Sequence, residues 1–126
     1  MDDWNDALFN RWQELRKSHK EAKRAKDHRA VIKIGAEIIE LAGRAPFIGI
    51  LVAVFQKDAG DAYVKLDDAP TAIVSYGQAI QSFEAHRAAG QLRSPDDFLA
   101  DIEKLQKKLA KLKTANKKAA QVDGKI

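Results

Sequence analysis

The stretch 45-APFIGILVAVF-55 decides the fold, because it is an almost unbroken apolar run in a chain that is 32% charged. A membrane helix needs about 20 apolar residues, roughly twice the length of this run. The β-branched and aromatic residues would suit a buried strand. However, no other segment alternates as a partner strand would.

The residues that follow the run favour a helix. Apolar residues continue at steps of three and four as far as Leu66, the spacing of one helix face. Pro46 suits a first helical turn, and Gly43 suits the end of the helix before it. Phe47, Ile50 and Val54 lie off the main stripe, as in a helix that neighbours cover on several sides. The sequence therefore predicts a central helix near residues 46–66, and that it is the most buried element.

Four further helices follow from similar patterns. Helical spacing and end signals predict helices near residues 3–25 and 28–42, and a fourth from Asp68 to Gly90 with Pro70 in its first turn. The motif 94-SPDDF-98 predicts a fifth helix, with Ser94 as its cap and Pro95 first. It continues as a heptad-spaced stripe of Phe98, Ile102, Leu105, Leu109 and Leu112.

Together these helices predict an all-α protein of about five antiparallel helices. The predicted domain covers residues 1–119, with a frayed tail at 120–126. The stripe on the last helix predicts that this helix caps the domain and pairs with the same helix of a second copy as a homodimer. The start of the chain resembles no signal peptide, so we expect a cytoplasmic protein that does not cross a membrane.

The segment 60-GDAYVKLDDAPTAIVSYGQAI-80 carries a recognisable spacing of small and aromatic residues, namely Gly60, Tyr63, Ala72, Tyr76 and Ala79. This spacing resembles the tetratricopeptide repeat, a helix–turn–helix unit of about 34 residues. Gln56, Ala59 and Glu84 depart from the family's pattern. The resemblance covers one motif, about a quarter of the chain, and implies a tetratricopeptide-like helical hairpin in the centre of the fold.

The resemblance also implies a function. In that family the inner helix of each repeat lines a groove that holds an extended peptide. Here this helix would be the third, and its outward face would carry Lys57, Asp61, Val64 and Lys65. The same four residues are also typical of a face that is merely solvated. The sequence thus predicts a protein–protein interaction module whose partner is a protein or peptide.

Patterns for catalysis and cofactors are missing from the sequence. It has no cysteine, no H-E-x-x-H or E-x-x-H pair for His19, His28 and His86, no G-x-S-x-G and no phosphate-binding glycine loop. We therefore expect a non-enzymatic protein with no catalytic residues, metal ligands or cofactor.

Two basic clusters suggest an alternative function. They lie in the first and last helices and comprise Arg16, Lys17, Lys20, Lys23 and Arg24, and Lys104, Lys107, Lys108 and Lys111. The net charge is +4. Lysines on an exposed helix commonly serve solubility, yet such clusters also contact phosphates in nucleic-acid-binding proteins. The alternative prediction is a nucleic-acid-associated helical protein that uses these two surfaces.

Overall fold

A computed structural model describes residues 6–45, 49, 51–90, 94 and 96–123, with side-chain burial as far as residue 118. Five helices form within them: α1 (Asp6–Arg24), α2 (His28–Ala42), α3 (Val52–Lys65), α4 (Ala69–Ala88) and α5 (Leu99–Asp123). No strand occurs in this described part. The prediction of an all-α fold is confirmed. Among the helices described, none combines the length and the apolar character needed to cross a membrane.

Each helix packs against the next along the chain, and the most extensive contact joins α3 and α4. Three-residue connections join α1 to α2 and α3 to α4, so the helices of each pair run antiparallel. Trp12 lies beside Phe55 and Lys23 beside Asp58, so α1 and α3 run in the same direction. Side chains of α1 and of α5 both reach α3: Trp12 meets Phe55 edge to face, and Lys108 pairs with Asp61. Helix α3 therefore lies between the first and last helices, as the central position predicted for it requires.

Aspartates begin two of the helices. The Asp27 carboxylate accepts a hydrogen bond from the Ala30 amide at the start of α2, and Asp68 accepts one from Thr71 at the start of α4, each at 3.2 Å. These side chains satisfy amides that have no partner inside the helix. Gly90 ends α4 with a φ of 75°, a conformation that glycine adopts without strain. The predicted bounds of these two helices therefore agree closely with the structure.

Helix α3 begins later than predicted. Residues 49 and 51 belong to a 3₁₀ turn, and the α-helix starts at Val52. Glycine and β-branched residues favour helix weakly, which explains a late start in this run. The predicted role of Pro46 lies outside the described residues. The prediction that neighbours cover α3 on several sides is wrong at Val54, which is 39% exposed. Relative to its length α3 is nevertheless more buried than α4, with five buried residues of 14 against six of 20.

The predicted start of the last helix is also wrong. Residues 96–98 form a turn, and α5 begins at Leu99. Phe98 adopts a left-handed conformation with φ 66°, while its ring stacks on Phe83 of α4 with 5.4 Å between centroids. Burying this ring against α4 outweighs the local helix-start signal. Pro95 lies outside the described residues.

Helix α5 packs its heptad-spaced stripe against the core. Ile102 and Leu105 are buried with residues of α4, and Phe98, Leu109 and Leu112 pack partly buried against the same cluster. The helix continues to Asp123 and so includes residues 120–123 of the predicted tail; residues 124–126 lie outside the description. Self-association through α5 stays a prediction, and it would use the part of the stripe from Leu109 onward.

Candidate partner-binding groove

The contact between α3 and α4 is close enough to fix the position of Tyr76. A Cβ atom added at Gly60 would lie 2.6 Å from two ring carbons of Tyr76, so the ring lies directly over the glycine backbone. Ala72 and Ala79 are both 0% exposed in the same hairpin. The small residues that carry the sequence resemblance therefore lie where α3 and α4 approach. As a consequence, the Tyr76 hydroxyl points to the next residue of α3, Asp61.

Asp61 joins three helices through its carboxylate. Its Oδ1 accepts hydrogen bonds from the Tyr76 hydroxyl of α4 at 2.5 Å and from the Lys108 ammonium of α5 at 3.3 Å. Its Oδ2 pairs with Lys57 Nζ at 3.0 Å, one helical turn earlier on α3. The ammonium of Lys108 also lies 5.9 Å from the centre of the Tyr76 ring. We call these four residues the Asp61 bridge.

The pKa values within the bridge show how strongly the charges are coupled. Burial alone would raise the pKa of Asp61, but the hydrogen bonds from Tyr76 and Lys57 outweigh it and hold this pKa below its ordinary value. Burial and the bond to Asp61 both raise the pKa of Tyr76. For Lys57, burial lowers the pKa, and the neighbouring Asp61 and Asp58 more than reverse that effect. At neutral pH Asp61 and Lys57 are therefore both ionised, and Tyr76 is neutral.

Two hollows with apolar floors lie on either side of the Asp61 bridge. The first, about 180 Å³, has Val54, Phe83 and Leu105 in its floor. The second, about 630 Å³, has Val64, Leu112 and Ala115. Lys108 lines both hollows, so they are neighbours along α3 and α5 with the bridge between them. We call the two hollows together the α3–α5 groove.

The charged residues of the groove are mostly positive. Five lysines and two aspartates line its two hollows, a net charge of +3: Lys57, Lys65, Lys104, Lys108, Lys111, Asp61 and Asp101. The two aspartates cannot neutralise the five lysines, so the groove presents a positive potential over an apolar floor.

A second ionic contact lies on the other side of α3, towards α1. Asp58 is 6% exposed, and its carboxylate pairs with Lys23 Nζ at 3.3 Å and Lys57 Nζ at 3.6 Å. His19 of α1, 4% exposed, lies edge-on to Phe55 at 4.7 Å. Its Nε2 has no hydrogen-bond partner in the described part of the chain. Burial lowers the pKa of His19, and Lys23 adds to this, whereas Asp58 opposes it.

The structure brings together residues that the sequence treated as two separate sets. All four predicted partner-binding residues line the groove or its rim, and so do Lys104, Lys108 and Lys111 of the second basic cluster. Sequence reasoning used Tyr76 only as a packing residue and gave Asp58 no role. The i,i+4 spacing of Lys57 and Asp61 was a visible signal of an ion pair. The pairing of Asp61 with Lys108, 47 residues away, left no local signal.

The remaining basic residues do not join the groove. Lys107 faces away and pairs with Glu103 at 3.7 Å, and Arg16 lies over the Trp12 ring at 5.9 Å. Lys17, Lys20 and Arg24 are exposed on α1. Asp58 and Asp61 of α3 lie between the two basic clusters, and they pair with Lys23 of the first cluster and Lys108 of the second. Within the described chain, no group of three or more His, Asp or Glu side chains is arranged to hold a metal ion.

No family model, curated protein or solved structure matches this chain in sequence or fold comparison. The tetratricopeptide resemblance therefore stays a hypothesis that rests on the residue spacing.

Proposed function

We propose that the chain is a non-enzymatic protein-interaction module of tetratricopeptide-like type, and that its α3–α5 groove binds an extended segment of a partner protein. The observation that carries the proposal is the pair of neighbouring apolar hollows along α3 and α5. Val54 and Val64 are 39% and 38% exposed although they lie on the central helix of the fold. Apolar side chains at such a position lose contact with water when a partner covers them.

The charge of the groove supports a protein partner with acidic residues. Five lysines stand around an apolar floor, which is the combination that holds a segment with both apolar and carboxylate side chains. A single-stranded nucleic acid would be expected to stack its bases on exposed aromatic rings. The ring of Tyr76 in the groove is buried, 3% exposed, which favours the protein partner over the nucleic acid.

Selection from a displayed library of random peptides tests this function. Val64→Asp places a charge on the apolar floor of the larger hollow, and Val74→Asp makes the same change on α4, at a residue that is 58% exposed and lies outside the groove. We expect peptides selected on the native chain to bind the Val74→Asp variant equally and to lose binding to Val64→Asp. Failure to enrich any peptide, or equal binding to all three proteins, would overturn the proposal.

Sedimentation equilibrium of the chain alone tests whether the groove is occupied by a second copy of the chain, since the sequence also predicts a homodimer. We expect the Val64→Asp substitution to leave the sedimenting mass unchanged. If the native chain is a dimer and Val64→Asp makes it a monomer, the groove is a self-association surface and the peptide proposal is wrong.

A further inference from the structure

The geometry of the groove points to a specific chemistry for its partner. We infer that it binds an extended segment in which a carboxylate side chain lies between two apolar side chains, one on each side. This carboxylate competes with Asp61 for Lys57 and Lys108. The inference rests on the proposed function. It adds the residue pattern of the partner segment and the role of Asp61 in setting the affinity of the groove for that segment.

The spacing of the two hollows sets the distance between the apolar side chains. Val54 and Val64 are ten residues apart on α3, so they lie about 15 Å apart along the helix axis. An extended chain rises about 3.3 Å per residue, and side chains at i, i+2 and i+4 share a face. Apolar residues four positions apart therefore reach about 13 Å, which matches the two hollows. The residue midway between them faces the Asp61 bridge.

Two lysines of the bridge lie at that midpoint, and both form ion pairs with Asp61. Lys57 and Lys108 lie 3.0 and 3.3 Å from its carboxylate oxygens. Both lysines keep part of their side chains in water, with 39% and 45% exposed, so an incoming carboxylate can reach them. The partner's carboxylate must share these cations with Asp61 and is repelled by it. Asp61 thus lowers the affinity of the groove for acidic segments.

Two synthetic peptides of identical composition test the residue pattern. The probe is acetyl-Gly-Ser-Leu-Ser-Glu-Ser-Leu-Ser-Gly-amide, and the control, acetyl-Gly-Ser-Leu-Glu-Ser-Ser-Leu-Ser-Gly-amide, moves the glutamate to the opposite face of the extended segment. With calorimetry or fluorescence anisotropy, we expect the probe to bind at least about fivefold more tightly than the control, a difference of roughly 1 kcal/mol. Equal affinities would overturn the pattern.

The variant Asp61→Asn tests the competition. An asparagine keeps an oxygen that accepts from Tyr76 but removes the carboxylate that Lys57 and Lys108 share, which leaves Lys57 with Asp58 at 3.6 Å and Lys108 with no carboxylate from Asp61. We expect the probe to bind this variant about fivefold more tightly than the native chain. Asp67→Asn is the matched control, because it makes the same charge change at an exposed turn residue whose left-handed φ of 60° asparagine tolerates. Unchanged or weaker binding to Asp61→Asn, relative to Asp67→Asn, would overturn the role of Asp61.

A second pair of variants tests the same inference if Asp61→Asn does not fold. Lys108→Gln should weaken probe binding about fivefold, whereas Lys107→Gln, on the same helix but outside the groove, should leave it unchanged. Equal effects of the two variants would contradict the inference.

Binding of a short oligothymidylate tests the alternative ligand. If it binds the native chain more tightly than the probe peptide, the groove is a nucleic-acid site and the inference of an acidic partner segment is wrong. If the displayed library yields Val64-dependent peptides without this pattern, only the inference fails; if it yields none, the proposed function fails as well.

Discussion

Two faces of helix α3 differ in how closely they are packed. Towards α4 it presents Gly60, and the ring of Tyr76 lies so close that a single added carbon would collide with it. Towards α5 it presents Val54 and Val64 in the two hollows of the α3–α5 groove, with the charges of the Asp61 bridge between them. The closed face stabilises the fold, and the open face is available for a partner. Substitutions should therefore act on stability on the closed face and on binding on the open face.

The largest effect is expected where α3 packs against α1. Phe55 is 7% exposed and contacts the rings of Trp12 and His19. Phe55→Ala should lower the free energy of unfolding by about 3–5 kcal/mol, measured by urea denaturation. Its neighbour Val54 is exposed on the open face, and Val54→Ala should cost less than about 1 kcal/mol. If the two variants lost similar stability, the distinction between the side of α3 that packs on α1 and its open face would be wrong.

A second prediction compares two glycines on the facing helices. Gly60→Ala adds a methyl group against the Tyr76 ring, whereas at Gly77 an added Cβ would meet no atom of the described chain within 4 Å. Both substitutions gain the same helix propensity, so the overpacking at residue 60 sets the difference, about 1–3 kcal/mol. Thermal unfolding should show that Gly77→Ala is the more stable variant. The opposite order would mean that α3 and α4 are not in close contact at Gly60.

A third prediction concerns pH. The pKa of His19 lies below its ordinary value of 6.5 because the ring is buried, so the folded chain holds it neutral. The unfolded chain takes up a proton as the pH falls through about 6.5, and stability is full above that pH and declines below it. His19→Phe removes this proton uptake and should flatten the decline, as read from denaturation midpoints at a series of pH values. If stability declined as steeply in the variant, the decline would be caused by groups other than His19.

The smallest effect is expected for the stability contribution of the Asp61 bridge. Lys108 is 45% exposed, and exposed ion pairs contribute about 0–1 kcal/mol because water and salt screen them. Lys108→Gln should therefore change the unfolding free energy by less than about 1 kcal/mol, and Lys107→Gln should change it no more. A loss of several kcal/mol at Lys108 would show that the bridge holds α5 in place and that the open face is part of the core.

The sequence was sufficient for the helices whose ends carry strong local signals. Asp27, Asp68 and Gly90 mark such ends, and helical spacing identified the apolar faces between them. It failed where tertiary contacts outweigh local preference, as at Phe98, where stacking on Phe83 delays the start of α5. It named the four residues on the outward face of α3. It could not show that Lys108 of α5 meets Asp61, because a pairing across 47 residues depends on how the helices pack.

The central claim is that the α3–α5 groove is the binding surface of this protein. Titrating the ¹⁵N-labelled chain with the leucine–glutamate–leucine probe and following the amide shifts by NMR tests it most directly. We predict the largest changes along Val54–Lys65 and along the facing residues 101–115 of α5. Changes concentrated at Lys17, Lys20 and Arg24 of α1, or around Val74 on the outer side of α4, would contradict the claim.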